Sequence, residues 1–278
     1  MTKPAIPAAE QAKARMQSLI ALQKQANLAK GAPDARTRKG RLTRAIDLLL
    51  NHRDELVAAL SADFGARSPD MSMLTDIAAA VAPLKNARAN LETWMRPQAR
   101  KVTPAALGLL GAKAHVRYQP KGVVGVMTPW NFPVQLSFDA IAGAFAAGNR
   151  VMLKPSEYSP ATSALMGQLI DLYFDEDELA VVQGGPEVGA AFAGLAFDHL
   201  IFTGATSVGR HVMRAAADNL TPVTLELGGK SPVIIGKSAD IAKSAARIMG
   251  GKAMNAGQVC LAPDYVLAPA GSVDAFVS

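Results

Sequence analysis

A chain of 278 residues, half of them hydrophobic, is long enough to bury a substantial core as one large domain or two smaller ones. Its formal charge of +6 arises within residues 1–60, which hold 11 Lys/Arg against 5 Asp/Glu and no Phe, Trp or Tyr, so that stretch reads as a solvated helix face and nucleic-acid binding is not expected. One cysteine excludes an internal disulfide, the histidines at 52, 115, 199 and 211 lack a zinc-binding spacing, and neither the opening Met-Thr-Lys-Pro-Ala-Ile-Pro nor any later segment has the apolar run of a signal peptide or membrane span; a cytoplasmic protein with no metal and no membrane is expected.

Residues 1–97 read as a helical lead-in. Leu42, Ala45, Ile46, Leu49, Leu56, Val57 and Leu60 recur at three- and four-residue spacing with Arg and Asp between them. Residues 98–121, with Pro104, Gly108, Gly111 and the alternating His-Val-Arg-Tyr, predict an extended excursion or hairpin. From residue 122 the pattern alternates. Strands are predicted at 122–127, 150–153, 179–182, 199–202 and 223–225, and helices at 135–147, 161–172, 187–193 and 207–217, the first helix ending at Gly148-Asn149 as a left-handed cap. Such alternation gives an α/β fold with a mostly parallel sheet, whose ligands sit beyond the carboxyl ends of the strands. Residues 122–228 would form that unit and 229–278 would begin another. Ser272 reads as the N-cap of a helix carrying Val273, Phe276 and Val277, so the chain is expected to stop in mid-helix.

Five strand ends and turns carry candidate chemistry. Thr128-Pro-Trp-Asn-Phe-Pro133 holds Asn131 between two prolines, where its amide can face an oxyanion; the plainer alternative is an Asn that satisfies a turn. In Lys154-Pro-Ser-Glu157 the carboxylate can accept ribose hydroxyls and Lys154 can reach a hydroxyl or phosphate, against the alternative of a surface ion pair. Phe202-Thr-Gly-Ala-Thr-Ser-Val-Gly-Arg210 is glycine-rich and opens into a helix, so its N–H groups can face a pyrophosphate; its Gly-x-x-x-x-Gly spacing is neither of the familiar phosphate-loop patterns and is a weak signal alone. Leu225-Glu-Leu-Gly-Gly-Lys-Ser231 offers Glu226 as a base for water, although an isolated Glu is usually only an exposed charge. Cys260, in Asn255-Ala-Gly-Gln-Val-Cys-Leu-Ala-Pro-Asp-Tyr265, is either a nucleophile beside close backbone N–H groups or a small buried hydrophobe.

Taken in this order, Thr-Pro-Trp-Asn-Phe-Pro, Lys-Pro-Ser-Glu, Phe-Thr-Gly-Ala-Thr, Leu-Glu-Leu-Gly-Gly-Lys-Ser-Pro and Gly-Gln-Val-Cys resemble the aldehyde dehydrogenase superfamily. The leader Asn51-His-Arg-Asp-Glu-Leu to Phe64-Gly65 and the tail Cys-Leu-Ala-Pro-Asp-Tyr are most similar to its class 3-like branch, that of bacterial coniferyl aldehyde dehydrogenases. The resemblance runs from about residue 35 to the end and implies a Rossmann-type cofactor domain followed by a truncated second α/β catalytic domain. It implies that Cys260 is the nucleophile, Glu226 the general base, and Asn131 with the Cys260 N–H the oxyanion hole. Lys154 and Glu157 would hold the adenosine ribose, while Trp130, Gly204 and Gly209 would lie along the pyrophosphate. The implied reaction is oxidation of an aldehyde, aromatic and coniferyl-aldehyde-like, to the acid through a thiohemiacetal and a thioester, with NAD as cofactor and NADP as the alternative. Glu157 would repel a 2′-phosphate. Ala205 stands where many members carry Ser, which removes one hydroxyl near the pyrophosphate.

A homodimer is the assembly that the full-length family implies. Only 18 residues follow Cys260, so the Glu-x-Phe-Gly-Pro segment, one wall of the aldehyde pocket and the final pairing strand would be missing, and apolar surface would be left exposed. Two rivals follow: a noncatalytic NAD-binding remnant, and a CoA-acylating relative, which would need no water-activating Glu226.

Overall fold

The computed structural model describes residues 8–65 and 67–277; the opening heptapeptide and Ser278 lie outside them. The lead-in consists of helices α1 (Ala8–Lys30), α2 (Ala35–Asn51), α3 (Arg53–Phe64), the short α4 (Pro69–Ser72), a π-helical turn (Met73–Ala78) and α5 (Ala79–Met95). Asp34 starts α2 by accepting from the Thr37 N–H at 2.8 Å, which satisfies one of the free donors of its first turn. The apolar stripe is buried as its spacing requires, with Leu42, Ala45, Ile46, Leu49, Leu56 and Leu60 inside and Val57 at the margin. No helix of the described residues is long and apolar enough to cross a membrane.

The N-terminal cations are not simply a solvated face. Arg38 and Arg41 are buried, because each guanidinium completes an otherwise open helix or strand end. Arg38 donates to the carbonyls of Pro33 and Ala146, and Arg41 donates to Glu178 at 2.9 Å, with Arg44 on the other carboxylate oxygen at 2.7 Å. A sequence window sees the charge of α2 but not the carboxylate waiting for it more than a hundred positions later.

Residues 98–121 form the expected hairpin. Strands β1 (Gln98–Arg100) and β2 (Ala114–Val116) pair antiparallel, with the single-turn helix α6 (Ala105–Leu109) between them.

Five parallel strands then build the central sheet: β3 (Val123–Met127), β4 (Arg150–Lys154), β5 (Leu179–Val181), β6 (His199–Gly204) and β7 (Val223–Leu227), in the order β5-β4-β3-β6-β7. The crossovers are α7 (Pro133–Ala147), α8 (Pro160–Tyr173), α9 (Pro186–Ala193) and α10 (Thr206–Ala217). Every residue of β3 and β4 is buried, as a sheet covered on both faces demands. Val124, Val126, Val151 and Leu153 point into the core shared with α2, α5, α7 and α8, while Val123, Met127 and Met152 point to the other side with α1, α9 and α10. Gly148 ends α7 at φ 88°, the left-handed cap read from the sequence, whereas Asn149 uses its side chain to accept from the N–H groups of Lys121 and Gly122 and so fixes the start of β3.

Beyond β7, β8 (Ser231–Ile234) pairs in parallel with β9 (Pro263–Leu267), and α11 (Ile241–Ala253) connects them without a buried residue. A short helix α12 begins at Val273, where expected.

Candidate active site

Because β3, β4 and β5 are laid down to one side and β6 and β7 to the other, the strand order reverses between β3 and β6. Carboxyl ends diverge there, and that is where open α/β sheets bind ligands. A cleft of about 690 Å³ opens at this point, lined among others by Thr128, Trp130, Lys154, Glu157, Gly204 and Gly189. Its volume suits a dinucleotide-sized ligand.

Lys154 closes β4 and is 4% exposed; its Nζ lies 3.1 Å from both Glu157 Oε2 and the Pro155 carbonyl. Lys154 is thus buried while Glu157 stays exposed, and both line the cleft. Gly189 of α9 lies beside the lysine, with room for no more than an ordinary contact between a Cβ there and Lys154 Cε at 3.4 Å. Helix α10 starts directly from β6. Its N-cap, Ala205, is extended and supplies no side-chain cap, which leaves the first-turn N–H groups free for an anion. Gly204 lines the cleft, and a Cβ on it would meet the Phe202 ring at 2.6 Å. Gly209 sits elsewhere: it is on the buried face of α10, where a Cβ would stand 3.0 Å from Leu227 Cδ2, so it sets the closeness of α10 to β7.

A second constellation joins distant segments. Asn131 follows β3, and its Nδ2 donates to the Gln258 carbonyl at 2.9 Å. In return Asn255 Nδ2 donates to the Asn131 carbonyl at 3.1 Å. The turn carrying these groups holds Asn255, Ala256 and Gly257 at φ 48°, 55° and 78°. Ala256 in the left-handed region costs about 1–2 kcal/mol, whereas Asn adopts it more readily, and the buried Asn255 side chain is what ties the turn in place. Cys260 follows it and is exposed. Glu226 is exposed on β7, in register with Thr203 of the cleft; among the described residues its side chain has no hydrogen-bonded or ionic partner. The structure thus brings Asn131 to the Cys260 loop and places Trp130, Lys154, Glu157 and Gly204 around the cleft. It does not tie Glu226 to either.

Residues not singled out from the sequence complete this region. Arg67 and Asp76 lie behind Asn131, Asn255 buttresses it, and Gly189 and Ala190 line the cleft from α9. Asn255 heads the segment quoted for Cys260, and Gly189 and Ala190 fall in the helix predicted at 187–193, but none of them carried a role there. Among the described residues no group of three or more His, Cys, Asp or Glu could hold a metal ion.

The aldehyde dehydrogenase family profile matches residues 3–278. The chain belongs to that family. A probable coniferyl aldehyde dehydrogenase of Caulobacter vibrioides is 59% identical over 277 residues, which are 100% of this chain and 57% of that protein. The coniferyl aldehyde dehydrogenase of a Pseudomonas species is 56% identical, with 92% of this chain and 52% of the relative covered. Among solved aldehyde dehydrogenases, a substrate-bound Staphylococcus aureus AldH aligns with a TM-score of 0.89 at 34% identity, covering 94% of this chain and 56% of that one. A Mycobacterium tuberculosis aldehyde dehydrogenase complexed with NAD+ aligns with a TM-score of 0.83 at 29% identity, covering 99% and 55%. The chain thus spans about half the length of the aldehyde dehydrogenases it matches.

Proposed function

We propose that the chain carries the cofactor site and the nucleophile of an aldehyde dehydrogenase that oxidises an aromatic aldehyde of the coniferyl type to its acid. The observation that carries this reading is the hydrogen bond from Asn131 to the Gln258 carbonyl, which brings an amide donor from the end of β3 to the loop of the single cysteine. An Asn amide has two N–H groups. Gln258 engages one, and the other is the donor for a substrate oxygen.

The cleft residues fit a nicotinamide dinucleotide: the Glu157 carboxylate for ribose hydroxyls, Lys154 beside it, and the uncapped start of α10 for the pyrophosphate. Trp130 and Gly204 would flank it, and Gly209 would act through helix packing. Glu157 would disfavour a 2′-phosphate, which makes NAD the preferred cofactor over NADP. When bound, the dinucleotide supplies the acceptor for the electron pair of the aldehyde C–H bond.

The chain's own residues do the rest. Cys260 Sγ adds to the aldehyde carbon, and the Asn131 amide and the Cys260 N–H hold the oxygen that becomes anionic. Glu226 takes a proton from the water that cleaves the resulting acyl thioester. Residues 122–228 would serve the cofactor and 229–278 the nucleophile. The full-length assembly would be a homodimer acting in the cytoplasm on a small aldehyde.

The test is calorimetric titration with NAD, followed by an absorbance assay for NADH formation from coniferyl aldehyde with the parent chain and Cys260→Ser. Binding with turnover that Cys260→Ser abolishes supports the reading. Binding without turnover in the parent makes the chain a noncatalytic nucleotide-binding unit. Acyl-CoA formation in the presence of CoA would replace hydrolysis by thioester exchange.

A further inference from the structure

We infer that the buried Arg67–Asp76 ion pair is a positioning device that holds the Asn131 segment against the Cys260 turn. This rests on the reading of Asn131 as the oxyanion donor and names what keeps that donor in place. Asp76 lies in the π-helical turn Met73–Ala78, a local widening of the helix that is often kept where function needs it. Its side chain is fully buried, and Oδ1 accepts from the backbone N–H groups of Val134 and Gln135 at 3.0 and 3.1 Å. These are the first free donors of α7, because Pro133 at its N-terminus has none. One carboxylate oxygen thereby anchors the helix that begins two residues after Asn131.

The other oxygen faces Arg67 Nη2 at 2.6 Å, with the Arg67 side chain only 4% exposed. The guanidinium lies between two rings, 4.7 Å from the Phe64 centroid and 5.2 Å from that of Phe132. Its Nη1 donates to the Asn131 carbonyl at 3.4 Å and its Nη2 to Thr75 Oγ1 at 2.6 Å. Asn255 holds the same carbonyl from the Cys260 side at 3.1 Å. The Asn131 backbone is thus pinned on two sides, and the helix after it on a third, which leaves the side chain directed at Gln258. A planar guanidinium is needed: it stacks between rings while its two Nη groups reach different acceptors, which a lysine ammonium cannot do. Arg67 and Asp76 act through Asn131 and are positioning residues.

The test compares the parent chain with Arg67→Lys, Arg67→Met and Asp76→Asn. Arg44→Gln, which breaks an ion pair on the far side of the lead-in, is the control for general loss of stability. Selective 15N-asparagine labelling gives the side-chain amide signal of Asn131, assigned by its loss in Asn131→Ala. Melting temperature, NAD affinity, kcat and KM are measured alongside. Arg67→Lys is expected to move the Asn131 signal and speed its hydrogen exchange while NAD affinity stays within about twofold, and to lower kcat about tenfold or more with little change in KM. Arg44→Gln is expected to lower the melting temperature and leave the signal in place. An Asn131 signal unmoved in folded Arg67→Lys, or moved as far by Arg44→Gln, overturns the inference. Should Arg67→Met and Asp76→Asn fail to fold, Arg67→Lys decides. A moved signal in a chain that never oxidises aldehyde upholds the positioning role and removes the oxyanion role of Asn131.

Discussion

The Asn131 side-chain amide donates at 2.9 Å to the carbonyl of Gln258, a residue 127 positions later, and the Asn255 amide answers with a bond to the Asn131 carbonyl. Each asparagine thus fixes the other's backbone segment, and the exposed Cys260 thiol follows directly. Asn131→Ala is expected to lower kcat for aldehyde oxidation by roughly 10²–10³, the usual loss for one oxyanion donor. NAD affinity, measured by calorimetry, should be unchanged. A weaker NAD complex with unchanged kcat would place Asn131 in cofactor binding.

Glu157 is the partner of a lysine that is almost wholly buried. Glu157→Gln removes a charge-assisted acceptor for both Lys154 and a ribose hydroxyl, and such bonds contribute about 1.5–3 kcal/mol. NAD binding should weaken by about 10- to 100-fold, and the preference for NAD over NADP should shrink, because the repulsion of a 2′-phosphate is gone. Titration with both dinucleotides measures the two effects together.

Ala256 is held at φ 55° between Asn255 and Gly257 and is exposed. Replacing it by glycine relieves the left-handed strain of about 1–2 kcal/mol and adds about 0.5–1 kcal/mol of unfolded-chain entropy. Ala256→Gly should therefore stabilise the chain by up to about 1.5 kcal/mol, read as a higher urea midpoint. A lower midpoint would show that the turn gains more from a stiff backbone than it loses to strain.

Acid should loosen the attachment of the lead-in helices to the sheet. Burial works against the charge of Asp177, yet Lys30 and Arg150 outweigh it and hold its pKa below the ordinary aspartate value. Glu178 is likewise desolvated, and Arg44 and Arg41 lower its pKa in spite of that. Carboxylates with depressed pKa stabilise the fold above their unfolded value, about 4, and that contribution disappears as pH falls through the folded value. The part of the urea midpoint that Asp177 and Glu178 supply should be level from about pH 7 to pH 5 and decline below about pH 4, separately from the loss that begins nearer pH 6.5 as His199, whose pKa burial lowers, is forced to take a proton. In Arg41→Met the midpoint should be lower at neutral pH and its acid decline shallower, since Glu178 then has less to lose. Parallel pH profiles would refute the linkage.

Period and punctuation alone were enough to read the strand and helix rhythm of residues 122–228, the hairpin at 98–121 and the glycine cap at 148, because each depends on neighbours a few positions apart. The motifs around Asn131, Lys154, Glu157, Gly204, Glu226 and Cys260 left plainer alternatives open one by one, and it was their joint resemblance to aldehyde dehydrogenases that suggested the chemistry. What needed three dimensions were burial and the partnerships between separate segments. Burial of Lys154 at the end of β4 set its exposed partner Glu157 on the cleft, and packing against Leu227 made Gly209 a spacer for α10. Arg38 and Arg41 went inside because their carbonyl and carboxylate partners come from α7 and the start of β5. The Arg67–Asp76 pair and the left-handed Asn255-Ala256 turn left no periodic signature, since an ion pair or a strained backbone is stable only where distant segments have already excluded water and supplied matching donors.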